Sequence, residues 1–336
     1  MREPSFWWRE PGLSAALLAP IAAAYGAVAA RRLAQTGVRT SVPVVCVGNF
    51  TLGGAGKTPT AITLAAMLQA AGQQVCCLSR GYGGSEAGPK RVDAHADSAA
   101  QVGDEALLLA RAAPTIVSRD RVAGACLAKA QGASVVVMDD GLQNASLAKD
   151  FTLAVVDGRR GIGNARVFPA GPLRAPLDAQ LARCDALLVI GGNGGAGEAV
   201  AAAAARGLPV FHGRLVPDPA SIEALKARQV LAFAGIGDPE KFFASAAAAG
   251  IEVADRTAFP DHHRFTAEEA AELIMRAEHS GLALLTTEKD RARMAGDTLL
   301  DALAARVHVL PVTLELDEGD KLSSAVMGSL ARHRPV

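Results

Sequence analysis

The sequence lacks several of the features that would decide its class quickly. It has no basic excess. Lys plus Arg and Asp plus Glu stand at 34 each, for a formal net charge of zero. Nucleic-acid binders usually carry a basic surplus, so bulk electrostatics gives no support for such a partner and none is expected. It has no CxxC pair, and its five cysteines, Cys46, Cys76, Cys77, Cys126 and Cys184, are an odd number. That pattern argues against zinc ligation and a disulfide framework, and for small apolar side chains in a reducing compartment. Aromatic residues are scarce, 4% of the chain, while alanine abounds. This is a compositional bias and not a functional signal. Neither an internal repeat nor a long disordered tract interrupts the 336 residues, which suffice for two ordinary domains.

What is present begins with a nucleotide-binding pattern. The apolar run Val42–Val47 reads as a buried parallel strand. A glycine-rich loop follows, Thr51-Leu52-Gly53-Gly54-Ala55-Gly56-Lys57-Thr58, and then a helical stretch over residues 60–71. Strand, glycine loop, Gly-Lys-Thr and helix form the context of a P-loop. Glycines let backbone N–H groups approach phosphates, and the helix N-terminus adds partial positive charge. Lys57 is placed to bridge β- and γ-phosphates, and the Thr58 hydroxyl to ligate Mg²⁺. The strict pattern wants glycine at position 51, where this chain has Thr51.

A second apolar run, Ser134–Met138, ends in Asp139-Asp140-Gly141. A carboxylate at the end of a buried strand is the Walker B arrangement facing Mg²⁺. Adjacent carboxylates cannot both aim one way. One faces the metal, and the other caps a turn or faces the acceptor. Further strand-like runs at residues 74–79, 115–118, 152–157 and 186–190 alternate with alanine-rich helices. The expectation is an α/β fold, a P-loop NTPase-like, doubly wound, mostly parallel sheet. Glycines and alanines crowd residues 191–207, a boundary before a smaller α/β domain. Its strands are expected at 210–213, 230–235, 251–253, 282–286 and 307–312. The expected divisions are 1–35, 36–205 and 206–336. Arg80 follows a strand end in Ser79-Arg80-Gly81-Tyr82-Gly83, where a phosphate contact and a solvated loop charge fit equally well. A loop, Phe259-Pro260-Asp261-His262-His263-Arg264-Phe265, carries two of the seven histidines. It lacks a third zinc ligand at obvious spacing, which favours base-orienting or substrate contact.

Before the P-loop, residues 12–30 contain no charge, Trp7 and Trp8 precede them, and Arg31 and Arg32 follow. A 19-residue helix reaches about 28 Å, roughly one hydrocarbon core. Membrane anchor, signal peptide and buried core helix all pass this test. Because the next segment requires cytosolic ATP, the signal peptide is disfavoured. A membrane-associated helix, lying on the surface more than spanning it, is the reading adopted.

Taken together these motifs resemble the tetraacyldisaccharide 4'-kinase family of lipid A synthesis. The resemblance rests on residues 47–59, 79–83, 102–105 (Val-Gly-Asp-Glu), 118–121 (Ser-Arg-Asp-Arg), 139–143, 168–174 (Phe-Pro-Ala-Gly-Pro-Leu-Arg), 259–263 and 286–290 (Thr-Thr-Glu-Lys-Asp). It implies Mg²⁺-ATP-dependent phosphorylation of the 4'-hydroxyl of a lipid A disaccharide 1-phosphate. It also implies a two-domain architecture and a location on the cytoplasmic face of the bacterial inner membrane, and a monomer is expected. Carried over, Asp104 is the base and His262 its helper, with His263 as the alternative imidazole. Lys57, Asp139 and Asp140 join them in catalysis. Arg80, Arg119, Arg121 and Arg174 are expected to contact substrate. Two positions depart from the family pattern: Asn144 where histidine is usual, and Ala175 where glutamate is usual. Membrane-recruited partitioning ATPases share the Gly-Gly-x-Gly-Lys-Thr loop but carry Lys before the paired glycines, where this chain has Leu52. A nucleotide-binding scaffold without chemistry is the other rival.

Overall fold

The computed structural model describes residues 3–192 and 194–333. Among the described residues thirteen strands form two sheets. In chain order they are β1 (Val44–Asn49), β2 (Val75–Ser79), β3 (Lys90–Arg91), β4 (Thr115–Val117), β5 (Val135–Asp139), β6 (Phe151–Asp157), β7 (Ala186–Ile190), β8 (Val210–Pro217), β9 (Gln229–Ala234), β10 (Glu252–Ala258), β11 (Ala283–Thr286), β12 (Val307–Val309) and β13 (Val312–Leu316). The nine-stranded sheet runs β13-β8-β7-β6-β1-β5-β2-β4-β3, and the four-stranded sheet runs β10-β9-β11-β12.

The apolar runs explain the centre of the large sheet. Every residue of β1, β2, β5, β6 and β7 is buried. Strands covered on both faces need near-continuous Val, Ile and Leu, and helices supply the cover. Ala61, Leu64 and Leu68 of the helix Lys57–Ala70 pack on one face beside Leu322 and Val326 of Gly319–Leu330. Ala125 and Ala128 of Arg121–Ala130 cover the opposite face. β1 pairs in parallel with both β5 and β6. The chain leaves β1 towards β2 on one side and later reaches β6 on the other. The carboxyl ends of β1 and β5 therefore open on the crevice where such sheets bind ligands.

The small sheet is parallel throughout. The helices Pro239–Ala248 and Ala267–Ser280 cover its two faces with Phe242, Phe243 and Ala246, and with Ala270, Leu273 and Ala277.

Two sequence expectations need correction. Residues 307–312 do not form one strand. Leu310 and Pro311 separate β12 from β13, and the two strands lie in different sheets. Proline has no N–H to continue a ladder, so the break falls there. Sheet membership also cuts the chain elsewhere than at 205/206. β8 belongs to the large sheet, and β13 returns to pair antiparallel with it, Val312 opposite Pro217. The small sheet is thus inserted between two adjacent strands.

Among the described residues one helix, Leu13–Leu33, is long and apolar enough to cross a membrane. Only 17% of its apolar window is buried, so the core-helix reading does not hold. Its small residues Ala15, Ala22 and Gly26 face the protein. Leu13, Leu17, Ile21 and Tyr25, four residues apart, form an exposed stripe on the other side, with Leu17 80% exposed. Cys126 is exposed, whereas the other four cysteines are buried as expected.

Candidate active site

The glycine loop leaves the carboxyl end of β1 and closes on the N-terminus of Lys57–Ala70. Gly53 and Gly56 have φ of 93° and 90°, a left-handed backbone that a side chain would strain. Thr51 is tolerated at the usual glycine position because its backbone is extended there. It bridges antiparallel to Leu173, and its carbonyl accepts 2.8 Å from Arg174 Nε. Lys57 Nζ donates 3.1 Å to Asn49 Oδ1 and lies 3.6 Å from Asp140 Oδ1. Burial pushes the Lys57 ammonium below its usual range, against the pull of Asp140.

Asp139 and Asp140, at the end of β5, have different surroundings. Asp139 is buried, and its Oδ2 accepts 3.3 Å from the Thr58 hydroxyl. Its Oδ1 is buried with no hydrogen-bond partner among the described residues. Burial, then the charges of Glu105 and Asp140, raise this carboxyl to about 7. An orphaned carboxylate oxygen beside a hydroxyl is a donor set suited to a hard divalent cation, so Thr58 and Asp139 fit Mg²⁺. Asp140 turns away with φ of 50°. Arg174 Nη1 donates to both its oxygens, at 3.0 and 3.2 Å. Burial would raise Asp140, but Lys57 and Arg174 hold it well below the carboxylate range.

A second acid pair opens the helix Asp104–Ala112. Gly103 precedes it at φ 88°, and a Cβ there would sit 2.6 Å from the Tyr82 carbonyl. Asp104 is 3% exposed. Its Oδ2 accepts 2.7 Å from Arg293 Nε and also bonds Arg293 Nη2. His262 Nδ1 stands 3.6 Å from the same oxygen. Burial raises the Asp104 carboxyl, but the His262 contact, Arg293 and Lys289 outweigh it and hold the group far below the usual range. Glu105 accepts 2.6 Å from Lys289 Nζ.

The loop after β10 separates its histidines. His262, at φ 56°, lies against the Tyr82 ring at 4.6 Å between centroids. His263 stacks on Phe259 at 4.8 Å and pairs with Glu269 at 2.8 Å, in the cap of Ala267–Ser280. Only His262 approaches Asp104.

A cleft of about 1420 Å³ runs between the sheets, lined by the glycine loop, Asp139, Asp140, Glu105, His262 and Lys289. Its floor carries Arg80, Arg119, Arg121 and Arg174. Arg80 and Arg119 are exposed and available to ligand. Arg121 is 2% exposed and donates 2.8 Å to the Ser118 carbonyl, and burial lowers it to about 10. Arg174 is engaged by Asp140 and Thr51. At one end the cleft reaches Trp7, Leu18 and Phe168, near the apolar helix. Asp104 borders instead a smaller cavity of about 320 Å³, and His262 and Tyr82 line both.

Asn144 does not mimic the histidine usual there. Its Oδ1 accepts from Ser146 in a local turn. Ala175 is fully buried, its carbonyl bonded 2.8 Å to Gln180 Nε2. Sequence reasoning gave no role to Lys289 or Arg293: Lys289 entered only as part of the motif at 286–290, and Arg293 lies outside it. It also missed Glu3 and Arg160. Arg160 donates 2.9 Å to Glu3 Oε2 and stacks over Trp8, seating the N-terminal segment beside Gly53.

Three comparisons bear on this site. The family model described as tetraacyldisaccharide-1-P 4'-kinase matches residues 14–331. A tetraacyldisaccharide 4'-kinase of Nitrobacter winogradskyi is 53% identical, covering 99% of both chains. That of Methylobacterium sp. (strain 4-46) is 57% identical over 99% of each. The crystal structure of LpxK from Aquifex aeolicus in complex with ATP superposes with a TM-score of 0.70 at 27% identity. It covers 94% of this chain and 99% of that one. The motifs, the cleft and these likenesses agree, and the chain belongs to the tetraacyldisaccharide-1-phosphate 4'-kinase family.

Proposed function

We propose that this chain transfers the γ-phosphate of ATP to the 4'-hydroxyl of a tetraacyldisaccharide 1-phosphate, with Asp104 as base and His262 as its helper. ATP-dependent 4'-kinase activity in lipid A synthesis, with Mg²⁺, is the family's activity. The observation that carries the residue roles is the meeting of two charge systems at His262, which lines both the cleft and the smaller cavity that Asp104 borders. On one side stand Lys57 and the orphaned Asp139 oxygen, and on the other His262 beside Asp104.

Phosphoryl transfer needs positioning and charge neutralisation more than covalent chemistry. Backbone N–H groups from Gly53 to Thr58, with Lys57, bind the donor phosphates. Thr58 and Asp139 would hold Mg²⁺, which when bound offsets charge on phosphate oxygens. Asp140 stays on Lys57 and Arg174 and fixes both. Arg80 and Arg119 meet the acceptor's phosphate. Asp104 is a weak base, which suffices when the hydroxyl proton moves late. His262, 3.6 Å away, orients the carboxylate and shares the proton.

The exposed stripe of Leu13–Leu33 supports a place on the inner-membrane surface, facing the cytosol, where ATP is found. The cleft ends near that helix, so an acylated acceptor could enter with its sugar leading. Leu17→Glu is expected to lower binding to anionic vesicles several-fold in a flotation assay, while ATP binding stays unchanged. Equal flotation would remove the helix as the anchor.

The function is tested by ³²P transfer from γ-labelled ATP to purified disaccharide 1-phosphate, with Mg²⁺ and detergent, against a control without lipid. Label at the 4'-position is expected. Steady hydrolysis without labelled lipid would point to a membrane-recruited ATPase instead.

A further inference from the structure

Arg293 is 6% exposed in its side chain and belongs to the helix Glu288–Met294, which follows β11 of the small sheet. Asp104 opens the helix Asp104–Ala112, which packs on the large sheet. Arg293 reaches across with Nε and Nη2 on Asp104 Oδ2. Its Nη1 donates 2.6 Å to the Gly235 carbonyl and 2.9 Å to Asp290 Oδ1. Asp290 Oδ1 in turn accepts 3.1 Å from the Gly235 N–H. The same Gly235 carbonyl accepts 3.0 Å from the backbone N–H of His262. One guanidinium therefore joins the proposed base to the carbonyl that seats the proposed helper. A side chain at position 235 would crowd this junction, since a Cβ there would lie 3.1 Å from Asp290 Oδ1.

We propose that Arg293 is the positioning residue of this site: its planar fork sets the spacing of Asp104 and His262 across the gap between the two sheets. The inference rests on the reading of Asp104 as the base. A fork with three fixed donors holds two directions at once, which a lysine ammonium cannot. The Arg293 contacts fall on Oδ2, and among the described residues Asp104 Oδ1 is bonded to the Glu105 N–H, 2.9 Å away. The groups facing Asp104 are Arg293, Lys289 and Asp290 from the small sheet, His262 from the loop after β10, and Glu105 on its own helix.

The test compares Arg293→Gln, Arg293→Lys and Asp104→Asn with the full-length wild-type enzyme in detergent, measuring pH profiles of kcat and KM and binding of a fluorescent ATP analogue. Arg293→Gln is expected to lower kcat roughly tenfold or more, with ATP KM and analogue binding within about threefold. Loss of a cation beside a buried carboxylate raises its pKa, so the acid limb of the Arg293→Gln profile moves to higher pH. Arg293→Lys returns the limb towards wild type, because the charge is back, but recovers kcat only in part. An unmoved acid limb, or Arg293→Lys as impaired as Arg293→Gln in both readouts, overturns the proposal. So does a matching loss of analogue binding, which would mark a general structural role. If Asp104→Asn stays active, the base assignment fails and this inference fails with it. If Asp104→Asn is inactive while Arg293→Gln behaves as wild type, only this inference fails.

Discussion

Two acid pairs stand at or beside the cleft, Asp104-Glu105 and Asp139-Asp140, and one member of the second ends in a state unlike the other three. Both members of the first pair meet cations from the small sheet, Arg293 and Lys289, and both are held below the carboxylate range. In the second pair only Asp140 has cation partners, Lys57 and Arg174, and both come from the large-sheet side. Asp139 keeps one oxygen buried and unpartnered and is raised to about 7. Burial alone does not separate the two, since Asp104 and Asp139 are 3% and 2% exposed. The difference lies in which acids meet a cation directly. Asp104, Glu105 and Asp140 do, from either sheet, and stay charged and fixed. Asp139 does not and remains incompletely satisfied, and a divalent cation is the partner that would complete it.

The largest expected break comes from Asp139→Asn. Transfer should fall by roughly a thousandfold, as when a principal electrostatic group is removed. The ligand-free protein should nevertheless gain stability at neutral pH. A carboxyl whose folded pKa lies above its unfolded value favours folding when protonated. Its penalty therefore grows as pH rises from the unfolded value near 4 towards about 7. Asn removes that penalty, on the order of a few degrees in Tm. Differential scanning calorimetry across pH 4–8 checks both the gain and the flatter slope. A lower Tm at pH 7.5 would show that Asp139 is not strained by its burial.

Asp104→Asn should do the reverse in stability. It leaves Arg293 buried against a neutral amide, so Tm falls, and kcat drops roughly a hundredfold with ATP KM little changed. Because the folded pKa of Asp104 is depressed, its contribution to stability is present above the unfolded pKa and lost as pH falls below it. The smallest effect sharpens the contrast. Glu105 is the foremost neighbouring charge that raises Asp139. Glu105→Gln should move the Asp139 titration to lower pH, by about one unit or less, read from the carboxyl carbon signal in NMR. An unchanged midpoint would uncouple the two pairs.

Much of this was legible in the sequence. Buried parallel strands leave continuous Val and Leu runs, and β7 fell on its expected residues, Ala186–Ile190. Glycine spacing marked the loop at Lys57 before any coordinates. The split of β12 from β13 was harder to read, because one apolar run serves two sheets and only Pro311 marks the change. Arg293 was not legible at all. Its meaning depends on Asp104, 189 positions away in the chain. A local pattern cannot report a pairing that only the docking of two sheets creates.

The insertion between β8 and β13 bears on the order of assembly. To the large sheet, everything from Asp218 to Pro311 is a single hairpin loop, since Val312 pairs with Pro217. An unstructured loop of that length would carry a closure entropy that grows with the logarithm of its length. An insert that has already folded brings its two ends together before the strands meet. Folding of the small sheet first would therefore lower the entropic cost of pairing β13 with β8 at the outer edge of the large sheet.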